Sequence, residues 1–255
     1  MSTIKDKIRF NFDGIWSDTY GLIHVVLDGG MFDETFIAER ELNETRIRGS
    51  DRPALHSVED SPIQFDMVVA FEDKFSESKI DNIIKWLFAN HYKPLYFEGK
   101  EDRVYNCIFI GEPRIIHNGL NEGYFTLTVR CDSSNLYSPL ITTNLEVITT
   151  NKTITVSNNG HLDTFMEISL KKNGYGNIVI ESLDDGNSIF EIRDLTDLED
   201  IYIDCEREII ETDAIGVYRY DKIIGEFPRL FLGTNRFKVT GACEIRFRYV
   251  SRYRF

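Results

Sequence analysis

The residues that come nearest to a catalytic arrangement in this sequence are three carboxylates spaced by two residues, Asp204, Glu206 and Glu208. If they lie on a strand, this spacing places their side chains on one face, about 7 Å apart from one to the next. A glycoside hydrolase uses a carboxylate pair at a comparable separation. The intervening Arg207 instead favours an ordinary charged surface. A hydrolase would need two carboxylates that face each other across a cleft.

Other catalytic and ligand-binding templates fail on their spacing. The sequence has no GxSxG nucleophile elbow and no GxxxxGK[ST] phosphate loop, and Gly174-Tyr175-Gly176 lacks the third glycine of a dinucleotide fingerprint. Residues 184–187, Asp-Asp-Gly-Asn, lack the alternating ligands and the closing glutamate of a calcium loop, so a tight hairpin turn is predicted there. We predict no catalytic residue, no cofactor site and no metal site.

The four cysteines show neither CxxC spacing nor clustering with histidine: Cys107, Cys131, Cys205 and Cys243. Most of them lie in alternating, strand-like runs. They are predicted to be small buried apolar residues of a protein made in a reducing compartment.

Length and composition predict a globular protein with a substantial core. The chain has 255 residues, of which 42% are hydrophobic, 13% aromatic and 28% charged, and its net charge is −13. This charge argues against a protein that grips nucleic acid, because such binding needs clustered cations. We expect neither a transmembrane helix nor a signal peptide, since no long apolar run is present and the first residues are polar.

Hydrophobic periodicity predicts a mainly β protein with one helix. Residues 124–131 alternate apolar and polar side chains, as in a half-buried strand, and residues 178–192 are predicted to form a hairpin closed at 184–187. Residues 79–90 place five apolar side chains on one helical stripe, with Ser78 as the predicted N-cap. The polar, proline-containing stretch 138–144 is predicted to link a domain at 1–137 to a second domain at 145–255.

Two segments are candidate interaction surfaces. Residues 33–62 are too charged to form a core element and are predicted to be an extended hairpin or arm that lies on another subunit. The candidate residues of this arm are Arg40, Glu41, Arg46, Arg48 and Arg52. The C-terminal run 245–255 alternates throughout and places four arginines opposite its apolar face: Arg246, Arg248, Arg252 and Arg254. These arginines either guard an exposed strand or form an interface with an acidic neighbour.

The order of short motifs along nearly the whole chain resembles the distal tail protein family of siphophages. The motifs of the first half are Phe10-Asn11-Phe12-Asp13-Gly14, Ser17, Gly21-Leu22, Ile83-Ile84-Lys85-Trp86-Leu87, Pro94-Leu95-Tyr96-Phe97, Tyr105-Asn106-Cys107 and Gly123-Tyr124-Phe125-Thr126-Leu127 through Cys131. Those of the second half are Asn159-Gly160, Ile203-Asp204-Cys205-Glu206, Phe227-Pro228-Arg229-Leu230 and Gly233-Thr234-Asn235.

This resemblance implies a fold, an assembly and a set of partners. It implies an N-terminal β-sandwich with one α-helix that forms a homohexameric ring, as one ring or two stacked rings, and a C-terminal galectin-like β-sandwich. The ring would be part of the virion at the tail tip, assembled in the host cytoplasm, and DNA would pass through its lumen without specific binding. Its partners would be the tail tube protein and a tail-associated fibre or lysin protein, with no membrane and no cofactor.

A carbohydrate-binding protein that contacts the host cell wall through its C-terminal domain is the alternative. Galectin-type sugar sites depend on a tryptophan that stacks against the sugar, and no tryptophan follows Trp86 in this chain. We therefore expect the second domain to be a docking surface without measurable affinity for simple sugars.

Overall fold

The computed structural model describes residues 8–25 and 37–255. The chain divides into two compact units. The first comprises Met1–Tyr137 together with Arg254–Phe255, and the second comprises Ser138–Tyr253. Residues 33–36 of the predicted arm lie outside the described residues.

The first unit contains eleven strands and one α-helix among its described residues. The strands are β1 (Phe10–Phe12), β2 (Ile15–Trp16), β3 (Leu22–His24), β4 (Arg40–Thr45), β5 (Ala54–Asp60), β6 (Gln64–Phe71), β7 (Lys93–Phe97), β8 (Tyr105–Ile110), β9 (Ile115–His117), β10 (Gly123–Cys131) and β11 (Asn135–Tyr137). The helix is α1 (Glu77–Leu87), and Ser17–Tyr20 form a 3-10 turn.

One curved sheet of eight strands forms the core of the first unit. Its order is β2-β1-β7-β8-β10-β6-β3, with β9 paired to β10. Ile8, just before β1, exchanges two backbone hydrogen bonds with His24 of β3, so the far edge of the sheet returns to the start of β1. Alternation in β10 is confirmed, because Phe125, Leu127, Val129 and Cys131 are all buried.

The predicted helix is present, but its predicted N-cap is wrong. Ser76, not Ser78, caps the helix: its side-chain oxygen accepts a hydrogen bond from the Lys79 N–H at 3.3 Å. Ser76 has extended backbone angles and its carbonyl accepts the first helical hydrogen bond, from Ile80. Ser78 therefore lies inside the first turn.

The buried face of α1 is rotated from the predicted stripe towards Trp86. The indole N–H of Trp86 donates to the carbonyl oxygen of Phe12 at 2.9 Å, and its ring stacks on Phe10. Ile84, predicted to be buried, is 49% exposed. These two contacts decide which face of α1 turns inward, because the hydrogen bond satisfies the one polar atom of Trp86 and the stacking buries its large ring.

The second unit and the chain terminus contain thirteen strands. They are β12 (Ile141–Thr142), β13 (Glu146–Ile148), β14 (Asn151–Asn158), β15 (Thr164–Lys172), β16 (Gly176–Ser182), β17 (Ile189–Leu195), β18 (Asp200–Asp204), β19 (Ile209–Thr212), β20 (Ile223–Gly225), β21 (Arg229–Leu230), β22 (Gly233–Thr240), β23 (Cys243–Tyr249) and β24 (Arg252–Arg254). A 3-10 turn spans Tyr220–Lys222.

Two antiparallel sheets enclose the core of the second unit. One has the order β12-β23-β15-β18-β19, with β13 on β23 and β21 on β15, and the other has the order β14-β22-β16-β17-β20. Phe237 of β22 and Phe247 of β23 are both fully buried, and their ring centroids are 5.7 Å apart across the sandwich. The mainly β fold with one α-helix is confirmed. The predicted hairpin is confirmed too, since Ile178 pairs with Ile192.

The C-terminal run is two strands rather than one. Its alternation persists from Ile245 to Tyr253, but pairing stops after Tyr249 and resumes at Arg252. At the break, Ser251 exchanges backbone and side-chain hydrogen bonds with Ser138. No helix in residues 8–25 and 37–255 has the length and apolar character that a membrane span requires.

Candidate interaction surfaces

The first candidate surface is the arm, which we define as the hairpin of β4 and β5 with its connecting turn, residues 40–60. Strand β4 pairs with β5 and with no other strand of the described residues. Every residue of β4 is exposed. Because an isolated two-stranded hairpin is marginally stable in water, this arm gains from a surface on which to lie.

The arm exposes apolar side chains that the sequence interpretation missed. Leu42 is 63% exposed, Leu55 59% and Ile47 55%, and Val58 lies directly opposite Leu42 at 38%. Single exposed apolar residues are ordinary, but several on one narrow hairpin make a patch. The available signal was the presence of Leu42, Ile47, Leu55 and Val58 among the charged residues of this segment.

The structure places the five predicted charged residues on this arm. Arg40 donates through Nε to the Asp60 carboxylate at 2.9 Å. The turn between β4 and β5 carries three exposed arginines, Arg46, Arg48 and Arg52. Glu41 lies opposite Glu59. Two like charges in that position repel each other, so a cation from another surface would relieve the repulsion.

Two of the four C-terminal arginines make contacts within the second unit. Arg248 lies 3.4 Å from the Glu167 carboxylate, and Arg252 donates through Nε to the carbonyl oxygen of Asp163 at 3.0 Å. Arg246 and Arg254 are exposed. Because pairing is interrupted at residues 250–251, the four arginines lie on two strands, β23 and β24. Their role as an interface stays a prediction.

Arg246 lies in an open groove of about 580 Å³ on the outward face of the larger sheet. The groove is lined by Leu145, Ser169, Leu170, Lys171, Asp200, Ile201, Tyr202, Glu211, Thr212, Asp213, Glu244 and Arg246. Four of these residues are carboxylates and two are cations. The surroundings of Arg246 are therefore predominantly acidic.

A buried ion pair, unforeseen from the sequence, holds the loop after β19. Arg219 donates through Nε and Nη2 to the two oxygens of Glu199, at 2.8 and 2.5 Å, and its Nη1 donates to the carbonyl oxygen of Asp194. The Glu199 side chain is 0% exposed and that of Arg219 4%. This contact orders a loop that displays Tyr218, which is 68% exposed, and Tyr220.

Hydrogen bonding keeps Glu199 ionised despite its burial. Burial by itself raises the pKa of the carboxyl group, but donors from Thr212, Thr196 and Arg219 outweigh it, so the Glu199 pKa lies below its usual value. A charged carboxylate with five donors is fully satisfied. This network therefore serves the structure of the loop.

The three carboxylates with the predicted two-residue spacing do not share a strand face. Strand β18 ends at Asp204, and residues 205–208 form a turn. An Asp204 oxygen accepts the backbone N–H groups of Glu206 and Arg207, at 3.0 and 3.1 Å. Glu208 has a positive φ of 56°. The geometry of a turn, set by this aspartate, replaces the strand on which the hydrolase interpretation depended.

In the described part of the chain, no group of three or more potential ligands is placed to hold a metal ion. All four cysteines are buried, as predicted, and none is in a disulfide bond.

The chain matches known proteins along its whole length. A family described as "Phage tail protein N-terminal domain" matches residues 5–133. A SPbeta prophage-derived uncharacterized protein of Bacillus subtilis (strain 168), YomH, is 30% identical over 250 residues, which cover 98% of this chain and 99% of that protein. The crystal structure of SPP1 Dit (gp 19.1), described as a paradigm of hub adsorption apparatus in phages that infect Gram-positive hosts, aligns with a TM-score of 0.69 at 15% identity, over 96% of this chain and 98% of that one.

The described residues form two antiparallel β-rich units with one α-helix and a two-stranded arm whose strands pair only with each other. The chain belongs to the phage tail proteins that share this N-terminal domain. Its fold is that of the SPP1 hub protein.

Proposed function

We propose that this phage tail protein is the hub of a siphophage tail tip. The observation that carries the proposal is the match of both units, over 96% of the chain, to the fold of a protein described as an adsorption-apparatus hub. In this role it forms a homohexameric ring, as one ring or two stacked rings, which joins the tail tube to the fibre or lysin protein. It acts as a scaffold and not as an enzyme.

Ring formation is supported by two apolar surfaces that the described residues of the first unit leave uncovered. One is the projecting arm with Leu42 and Leu55. The other is an apolar cleft of about 220 Å³ beside α1, which Ile84 helps to line together with Phe71, Ile80, Ile83, Phe88, Pro113, Ile115 and Phe125. An arm on one copy that fills a cleft on the next makes a head-to-tail contact, and repetition of such a contact gives a ring when its rotation closes. The arm of one copy fills the cleft of the next.

The net charge of −13 suits a conduit for DNA. Six copies carry −78 formal charges, so a lumen of neutral to negative potential follows. Such a wall repels phosphate and lets DNA pass without binding.

The test is the oligomeric state of the full chain, measured by native mass spectrometry. The unchanged protein should form hexamers or multiples of them. Both Leu55→Asp on the arm and Ile84→Asp on the cleft should shift the population to monomers, because each buries a charge in the same contact. Leu198→Asp, at a site of the second unit that is also 59% exposed, is the matched control and should leave the hexamer intact. A monomeric unchanged protein at high concentration would refute the ring.

Carbohydrate binding through the second unit is the second candidate function. The exposed Tyr218 and Tyr220 supply the aromatic surface that sugar stacking would need. Their rings, 5.3 Å apart, are inclined by 37°, so they do not form one flat platform, which favours a protein contact. A glycan array with the unchanged protein and with Tyr218→Ala separates the two. Binding that is lost in Tyr218→Ala would establish the lectin function.

A further inference from the structure

Two of the four cysteines lie directly opposite each other on adjacent strands. Cys107 of β8 pairs with Cys131 of β10 in the antiparallel register. The next pair, Asn106 and Asp132, is a hydrogen-bonded one, because the Asp132 N–H donates to the Asn106 carbonyl at 2.9 Å. Since hydrogen-bonded and non-hydrogen-bonded pairs alternate along an antiparallel ladder, Cys107 and Cys131 form a non-hydrogen-bonded pair.

A non-hydrogen-bonded pair brings two side chains as close as a sheet allows. Its Cα atoms are about 4.5 Å apart, and the Cα separation in disulfides is about 4.4–6.8 Å. The backbone N–H of Cys131 donates away from Cys107, to the Ile63 carbonyl at 2.9 Å. Both side chains point into the core, where they are essentially inaccessible to solvent. Backbone spacing and side-chain direction therefore meet what a disulfide requires.

The other two cysteines cannot meet in the folded protein. The Cys205 N–H donates to the carbonyl of Met166 at one end of β15, whereas Cys243 pairs with Lys172 at the other end. The six residue steps of extended strand from Met166 to Lys172 correspond to roughly 20 Å. Cys205 and Cys243 are thus an internal control, equally buried but not apposed.

We propose that Cys107 and Cys131 are a latent disulfide, reduced when the protein is made and closed once the tail leaves the reducing cytoplasm. The co-reactant is a low-molecular-weight disulfide. One cysteine, as its thiolate, attacks a sulfur of that disulfide and releases one thiol, which leaves a mixed disulfide. The second cysteine then attacks the mixed disulfide, forms the Cys107–Cys131 bond and releases the second thiol, so that two electrons and two protons pass to the co-reactant.

Burial makes this closure slow in the folded protein. Burial raises the pKa of both thiols, and the pKa of Cys131 reaches about 12. The neighbouring Cys131 raises the pKa of Cys107 further. Because the thiolate is the reacting form, exchange must wait for β8 and β10 to open locally. The bond should therefore form slowly in the native protein and readily during refolding. This proposal does not depend on the hexameric ring.

The test is peptide mapping of the full chain after oxidation. Reduced protein is unfolded, refolded in a mixture of oxidised and reduced glutathione, denatured with iodoacetamide to block free thiols, digested and analysed by mass spectrometry. A parallel sample of folded protein is incubated with oxidised glutathione for increasing times. The Cys107–Cys131 linked peptide should dominate both samples, with Cys205 and Cys243 alkylated, and should accumulate far more slowly in the folded sample.

Two variants make the result specific. The double variant Cys205→Ala with Cys243→Ala keeps the apposed pair and should form the bond as the unchanged protein does. Cys107→Ala should leave Cys131 alkylated. Alkylation of all four thiols in the unchanged protein, glutathione adducts that never close, or links to Cys205 or Cys243 in comparable amount would each overturn the proposal. The mapping of the unchanged protein decides the matter even if a variant fails to fold.

Discussion

Replacing Arg219 by alanine tests whether the buried ion pair holds the second unit together. The change removes two hydrogen bonds from a carboxylate whose side chain is 0% exposed, and it leaves the Asp194 carbonyl without its Nη1 donor. Removal of one partner of a buried pair costs about 3–5 kcal/mol, because the remaining charge stays buried and uncompensated. This loss corresponds to a fall in the melting temperature of roughly 10–20 °C for a domain of this size.

The assay can follow each unit separately. Both tryptophans, Trp16 and Trp86, lie in the first unit, so tryptophan fluorescence reports that unit, while far-ultraviolet circular dichroism reports both. In Arg219→Ala, the fluorescence transition in urea should stay in place and part of the dichroism transition should move to lower urea. Lys171→Ala is the matched control, since its contact with Asp200 is 3.5 Å long and exposed, and its loss costs about 0–1 kcal/mol.

A second variant separates charge from packing. The pair Glu199→Gln with Arg219→Met removes both charges, keeps most of the volume and leaves an amide oxygen to accept from the Thr196 and Thr212 donors, so it should recover part of the stability lost in Arg219→Ala. The reasoning is refuted if Arg219→Ala loses no more stability than Lys171→Ala. It is also refuted if the double variant is as unstable as the single one, because an uncompensated buried charge would then explain none of the lost stability.

Three further predictions follow from charges and thiols. The folded-state pKa of Glu199 lies below the value of 4.5 for a free glutamate, so its stabilisation is complete at neutral pH and is lost as pH falls through the folded pKa. Urea midpoints measured between about pH 7 and pH 3 should therefore fall more steeply for the unchanged protein than for Glu199→Gln. The double variant Arg246→Glu with Arg248→Glu should keep its circular dichroism spectrum but co-purify less with the neighbouring tail-tip protein, and undiminished co-purification would exclude that contact. Closing the Cys107–Cys131 bond encloses about 25 residues and should stabilise the first unit by about 3.5 kcal/mol, seen as a higher urea midpoint by tryptophan fluorescence; equal midpoints for the oxidised and reduced forms would contradict it.

Properties carried by neighbouring residues were predictable from the sequence. Alternation along 124–131 and the turn residues at 184–187 predicted a strand and a hairpin, and both are present as β10 and the β16–β17 pair. The helical period within 79–90 likewise located α1. These signals depend on local backbone geometry and on which side chains avoid water, so they can be read without knowing what lies opposite.

Only the structure decided which of the competing local contacts formed and which residues far apart in the chain meet. The predicted N-cap Ser78 lies inside the first turn of α1, because Ser76 has the extended backbone conformation of the capping residue. Asp204 turned a run of alternating carboxylates into a turn by accepting two backbone N–H groups. Strand register placed Cys107 opposite Cys131 and placed Cys205 and Cys243 at opposite ends of β15, although all four cysteines are equally buried. Register is fixed by how whole strands bury their apolar faces against each other, and a shift of one residue would point each cysteine to the opposite face.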